Sequence, residues 1–131
     1  MKLYEIHVSV IFTNALNEMK WLHFCKHNDY KSIRVLNDKG TYNIQNMISK
    51  WCNRATDKEA IQYANEITDK IKDAGFLITR TKVEAMMLNK DYDGISLENK
   101  DGIYWEIHFK IKIQNYYDLL KLISWKNRQI Y

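Results

Sequence analysis

The hydrophobic pattern of this chain switches repeatedly between a period of two and a period near 3.6, and that switching confines it to a fold mixing strands with helices. From Leu3 to Phe12, polar Glu5, His7 and Ser9 alternate with apolar Ile6, Val8 and Val10, as a strand with one buried face requires. Leu77 to Met87 sets Arg80, Lys82 and Glu84 against Thr79, Thr81, Val83 and Ala85. Ile103 to Ile113 sets Glu106, His108, Lys110 and Lys112 against Ile107, Phe109, Ile111 and Ile113. Ser32 to Asn37 and Tyr42 to Ile48 flank the turn-rich Asn37-Asp38-Lys39-Gly40 and predict a hairpin.

Three helices separate these runs. Asn14 is placed to cap the first, in which Leu16, Met19, Leu22 and Cys25 recur at three-residue steps as its apolar stripe. Thr56-Asp57-Lys58-Glu59 reads as a capping box opening a second helix, with Ala60, Ile61, Ala64, Ile67 and Ile71 as its stripe, Gly75 as its stop and Phe76 as its C-terminal apolar contact. The third starts near Tyr116 behind Asn115, with Leu119, Leu120, Leu122, Ile123 and Trp125 on one side. Asn89 to Gly102 is polar and predicts a long loop. The order predicts one α+β domain over 1–131: an antiparallel or mixed sheet with helices on one face, a ferredoxin-like βαββαβ core extended by a strand and a C-terminal helix.

The chain also repeats itself. Tyr4-Glu5-Ile6-His7-Val8-Ser9-Val10 recurs as Trp105-Glu106-Ile107-His108-Phe109-Lys110-Ile111, and at the same offset Asn14 matches Asn115, Asn17 matches Asp118 and Lys20 matches Lys121. Two similar strand-helix units point to a pseudo-twofold arrangement that brings the Glu-x-His faces to a shared centre. Glu5, His7, Glu106 and His108 would then share one side of the sheet with Arg80, Lys82 and Glu84.

That set of side chains supports several chemistries. His7-Val8-Ser9-Val10 resembles one arm of the two-histidine phosphoesterases, which carry His-x-Thr/Ser twice in pseudo-symmetric lobes. The resemblance implies His7 and His108 as acid and base; at the second arm Lys110 stands where that family has a hydroxyl. Lys82, Lys110 and Arg80 would hold the charged oxygens. A metal centre on the two histidines with Glu5 and Glu106 is a lesser reading, since Lys82 and Lys110 would oppose the cation, and no metal or cofactor is expected. Non-catalytic binding of a nucleotide-like anion needs fewer coincidences: Tyr4, Tyr104 or Trp105 for stacking, and Ser9, Arg80, Lys82, Glu84 and Lys110 for polar contacts. The plainer alternative is a solvated polar face on a structural or interaction protein.

Composition narrows the partners. The net charge of +4 is dispersed without a basic stripe, so a duplex nucleic acid is not expected. Cys25 and Cys52 form no C-x-x-C pair and read as structural thiols, consistent with a reducing, cytoplasmic setting; no apolar run reaches a membrane span. His23 and His27 lie four apart on the first helix and read as a solvent-facing pair. The chain has only 4 glycines and no phosphate-binding loop. The absence of proline and the abundance of Lys, Asn, Ile and Tyr fit an AT-rich genome, as in a virus, a phage or a low-GC bacterium. Cys52 with Trp51 is expected in a loop, and Gln45, Ser49, Lys50 and Arg54 in a connector that doubles as a lid or anion-binding loop. The aromatic tail with Trp125, Ile130 and Tyr131 leads to the expectation of a homodimer. The reading carried forward is a small anionic, nucleotide-like ligand on the polar sheet face, with phosphoester catalysis as the alternative.

Overall fold

The structure is a computed structural model that describes residues 1–37, 40–86, 104, 106, 108 and 110–128. The chain divides into two compact units, Met1–Asp93 and Gly94–Tyr131, each described by itself. The first runs β1 (Lys2–Ile11), α1 (Ala15–His27), β2 (Lys31–Leu36), β3 (Ile44–Arg54), α2 (Asp57–Asp73) and β4 (Leu77–Ala85). The strands form a sheet in the order β2-β3-β1-β4, every neighbouring pair antiparallel. This is an α+β fold, and its βαββαβ order is compatible with the core expected from the sequence.

One face of the sheet is the core. Ile6, Val8 and Val10 of β1 and Ile48 of β3 are buried against Trp21 and Cys25 of α1, Ala64, Ile67 and Ile71 of α2, and Phe76. Each fully buried aliphatic side chain contributes roughly 1.5 to 3 kcal/mol by leaving water. Trp21 anchors an aromatic group, with its ring centroid 5.1 Å from Phe76 in an edge-on contact and 6.1 Å from Phe24.

The buried stripe of α1 differs from the sequence expectation. Cys25 is buried as expected, but Leu16, Met19 and Leu22 are exposed, and Trp21 joins Cys25 in the core instead. Steps of three residues fall short of a full 3.6-residue turn by about 60° each, so a run of them rotates around the helix and cannot lie on one side. Trp21 and Cys25, four apart, stay together. On α2, Ala60, Ala64, Ile67 and Ile71 are buried as expected, whereas Ile61 is exposed.

The helix ends are fixed by their caps. Asn14 Oδ1 accepts the Asn17 N–H at 3.0 Å, and Thr56 Oγ1 accepts the Glu59 N–H at 3.2 Å while Glu59 Oε2 accepts the Ala55 N–H at 3.0 Å. After α2, Gly75 takes φ +94° and Phe76 N–H reaches the Ile71 carbonyl at 3.4 Å, closing the helix as anticipated.

The hairpin of β2 and β3 is present, but β3 continues to Arg54. Gln45, Ser49, Lys50, Trp51, Cys52 and Arg54, expected in a loop or connector, therefore lie in an inner strand, and the lid or anion-binding loop is not there. The pattern hid the strand because Lys50 occupies the helix side, reaching the Asp29 carbonyl at 3.2 Å, while Trp51 projects from the opposite face.

In the second unit α3 spans Tyr116–Arg128, and Asn115 Oδ1 accepts the Asp118 N–H at 2.9 Å, the cap expected there. The loop expected over 89–102 lies outside the described residues. So do positions 103, 105, 107 and 109 of the strand expected over 103–113, Asp38 and Lys39 of the hairpin turn, and Ile130 and Tyr131 of the tail.

Candidate functional site

Residues directly opposite one another in an antiparallel pair project to the same face, so register decides what meets on the sheet side away from α1 and α2. β1 aligns Glu5 with Trp51 of β3 and Glu84 of β4, His7 with Ser49 and Lys82, and Ser9 with Met47 and Arg80. The face is thus built in rows: Trp51, Glu5, Glu84; then Ser49, His7, Lys82; then Met47, Ser9, Arg80. A register shift between Ser9 and Val10 sets Val10 beside Ile78 and leaves Arg80 on the row of Ser9. Arg80, Lys82 and Glu84 therefore join Glu5, His7 and Ser9 as the sequence predicted.

The centre of this face is a compact polar network. Glu5 Oε1 accepts from the Ser49 hydroxyl and lies 3.0 Å from His7 Nε2. His7 Nδ1 lies 3.7 Å from Glu84 Oε1, and the Lys82 ammonium pairs with that same oxygen. The His7 side chain is only 12% exposed, and Glu5, Lys82 and Glu84 are similarly half-buried. Ser9 and Ser49 are buried and Arg80 is exposed. Partly desolvated charges interact more strongly than solvated ones, and keeping such a group together costs more than a solubilising surface demands.

Two of these atoms stand out. His7 Nδ1 and Glu84 Oε1 are both buried from solvent; Nδ1 makes no hydrogen bond, and Oε1 has the Lys82 ammonium against it. Glu5 Oε1 and Glu84 Oε1 thus flank the two ring nitrogens of His7, at 3.0 Å from Nε2 and 3.7 Å from Nδ1. Glu5, His7 and Glu84 can also each offer a ligand atom within 4.8 Å of one another.

Several assignments change. Tyr4 is buried on the helix side, where its hydroxyl donates to Asp57 Oδ1 at 2.5 Å at the first turn of α2, so it is not a stacking platform. Trp51 takes that place on the polar face, 48% exposed beside Glu5. The sequence reading missed Trp51 and Ser49 because it ended β3 at Ile48; continuing the period of two through Ser49, Trp51 and Asn53 would have found both.

The second copy of the repeat reproduces the local contacts of the first. Glu106 Oε1 lies 2.7 Å from His108 Nε2 where Glu5 Oε1 lies 3.0 Å from His7 Nε2, and Asn115 caps α3 as Asn14 caps α1. Its histidine is 69% exposed. Glu106, His108 and Lys110 belong to the second unit, and Trp105 lies outside the described residues.

The thiols are placed for structure. Burial pushes the Cys25 thiol up to about 12, and burial also raises Cys52, against an opposing pull from Arg54. His23 and His27 are exposed on α1 with their rings stacked at 6.4 Å. Among the described residues no helix is long and apolar enough to cross a membrane.

No family model, no curated protein and no solved structure matches the chain.

Proposed function

We propose that the polar sheet face binds a small anionic molecule of nucleotide type. The observation that carries this reading is the order of chemistry along the face: an exposed indole at Trp51, carboxylate acceptors in the same row, and cations at Lys82 and Arg80 in the next two rows. Successive rows lie about 6.7 Å apart, two residues along a strand. A nucleotide presents the matching sequence of parts, with its base on Trp51, its sugar hydroxyls donating to Glu5 and its phosphate toward Lys82 and Arg80. A nucleic-acid strand fits less well, because Glu5 and Glu84 would repel a continuous phosphate backbone.

Phosphoester hydrolysis is the second reading, supported by the way Glu5 and Glu106 each orient a histidine, an arrangement suited to general acid-base work. Calorimetric titration with nucleoside mono-, di- and cyclic phosphates, followed by chromatography of the recovered ligand, separates the two. Binding without turnover, weakened at least tenfold in Arg80→Ala, supports the binder; product formation abolished by His7→Ala supports the hydrolase. Neither heat nor turnover with any of these compounds refutes both.

A further inference from the structure

We infer that His7 and Glu84 form a divalent-cation site on this face, with Glu5 as the carboxylate that orients the imidazole. The inference rests on three side chains, Glu5, His7 and Glu84, that can each offer a ligand atom within 4.8 Å of the others. His7 Nδ1 is buried without a hydrogen bond and lies 3.7 Å from Glu84 Oε1, whose partner is the Lys82 ammonium. Leaving an imidazole nitrogen buried and unsatisfied costs about 1 to 3 kcal/mol, which a cation held between it and Glu84 Oε1 removes. A cation about 2.1 Å from both atoms would subtend an angle of about 120°, close to what tetrahedral or trigonal coordination accepts. Glu5 supplies the outer contact that metal-bound histidines characteristically make, with its Oε1 3.0 Å from the ring's other nitrogen, Nε2. Ser49 in turn holds Glu5.

The donor set of one imidazole nitrogen and one carboxylate oxygen suits Zn²⁺, Mn²⁺ or Fe²⁺ better than Ca²⁺. Two protein ligands leave coordination positions for oxygens of a bound molecule. The Lys82 ammonium, paired with Glu84 Oε1, neutralises that carboxylate in the metal-free protein. An arriving cation displaces it, and the ammonium then turns toward the anion. Formally Glu5, Glu84, Arg80 and Lys82 sum to zero charge, so the cation supplies the excess positive charge that a phosphate requires. This last step rests on the nucleotide reading; the metal site itself does not.

Mn²⁺, titrated into the full chain without nucleotide and followed by NMR of the histidine rings, tests the site directly. Substoichiometric Mn²⁺ is expected to broaden the His7 ring signals before those of His23, His27 and His108. In a parallel Zn²⁺ titration, Glu84→Gln is expected to weaken binding at least tenfold, Lys82→Met to tighten it severalfold, and His23→Ala/His27→Ala to leave it unchanged. Broadening led by His23 and His27, an unaffected His7, or an Nδ1 that carries its own proton at pH 8 would overturn the site. Nucleotide binding that persists unchanged in EDTA would overturn the metal's part in it while leaving the binding reading intact. Metal binding without any nucleotide affinity would do the reverse.

Discussion

Tyr4 and Cys25 show how single residues tie the core to the chemistry of the chain. Tyr4 is buried on the helix side of the sheet, and the bond from its hydroxyl to Asp57 joins β1 to the start of α2. Tyr4→Phe is expected to cost about 1.5 to 3 kcal/mol, as a lost hydrogen bond to a charged acceptor, read by urea unfolding. Cys25 makes a pH prediction. Its folded thiol titrates near 12 against an ordinary value of 9.0, so above pH 9 the unfolded chain loses a proton that the folded chain keeps. The stabilisation is therefore fully present below pH 9 and is lost between pH 9 and 12, at up to about 1.4 kcal/mol per unit. Cys25→Ala should flatten that limb of the stability profile, measured against the parent protein. On the polar face, Trp51→Ala should weaken nucleotide affinity by about 1 to 3 kcal/mol, the usual loss of a stacked aromatic, with little change in melting temperature.

The elements were legible in the sequence to different degrees, for reasons that the helix ends make testable. Gly75→Ala has open space around the new methyl group, but φ at +94° is a conformation that alanine adopts only with strain. It should cost about 1 to 2 kcal/mol, and Thr56→Ala about 1 kcal/mol, both by thermal unfolding. These ends were readable because glycine and the Thr-x-x-Glu box act through neighbours in the chain. β1 and β4 were equally plain, since their polar and apolar sides alternate without interruption. β3 was cut short because Lys50 and Trp51 invert the pattern at mid-strand: one aliphatic stem lies along the helix side, and one indole sits on the polar side. α1 was found in place with Cys25 correctly on its buried side, but Leu16, Met19 and Leu22 were set there too, because three-residue spacing imitates a stripe without being one. Glu5, His7, Lys82 and Glu84 could each be named from alternation alone. That His7 sits opposite Lys82 and next to Glu84 comes from strand register, which depends on the pairing of segments far apart in sequence.

At the scale of the molecule, α1 and α2 cover one side of the sheet of the first unit, and the opposite side of that sheet concentrates partly buried charge. The repeated Glu-x-His unit sets a glutamate Oε1 beside its histidine Nε2 in both compact units, although one histidine is half-buried and the other exposed. Under the proposed function the first of these, His7, is the working residue. The most direct measurement is a backbone and side-chain NMR titration of the full chain with a nucleoside diphosphate. It predicts shifts concentrated on Glu5, His7, Ser9, Ser49, Trp51, Arg80, Lys82 and Glu84, with the helix-side core at Ile6, Val8 and Ile67 unmoved. Shifts confined to the groove lined by Met19, His23 and Phe76, or no shifts at millimolar ligand, would contradict it.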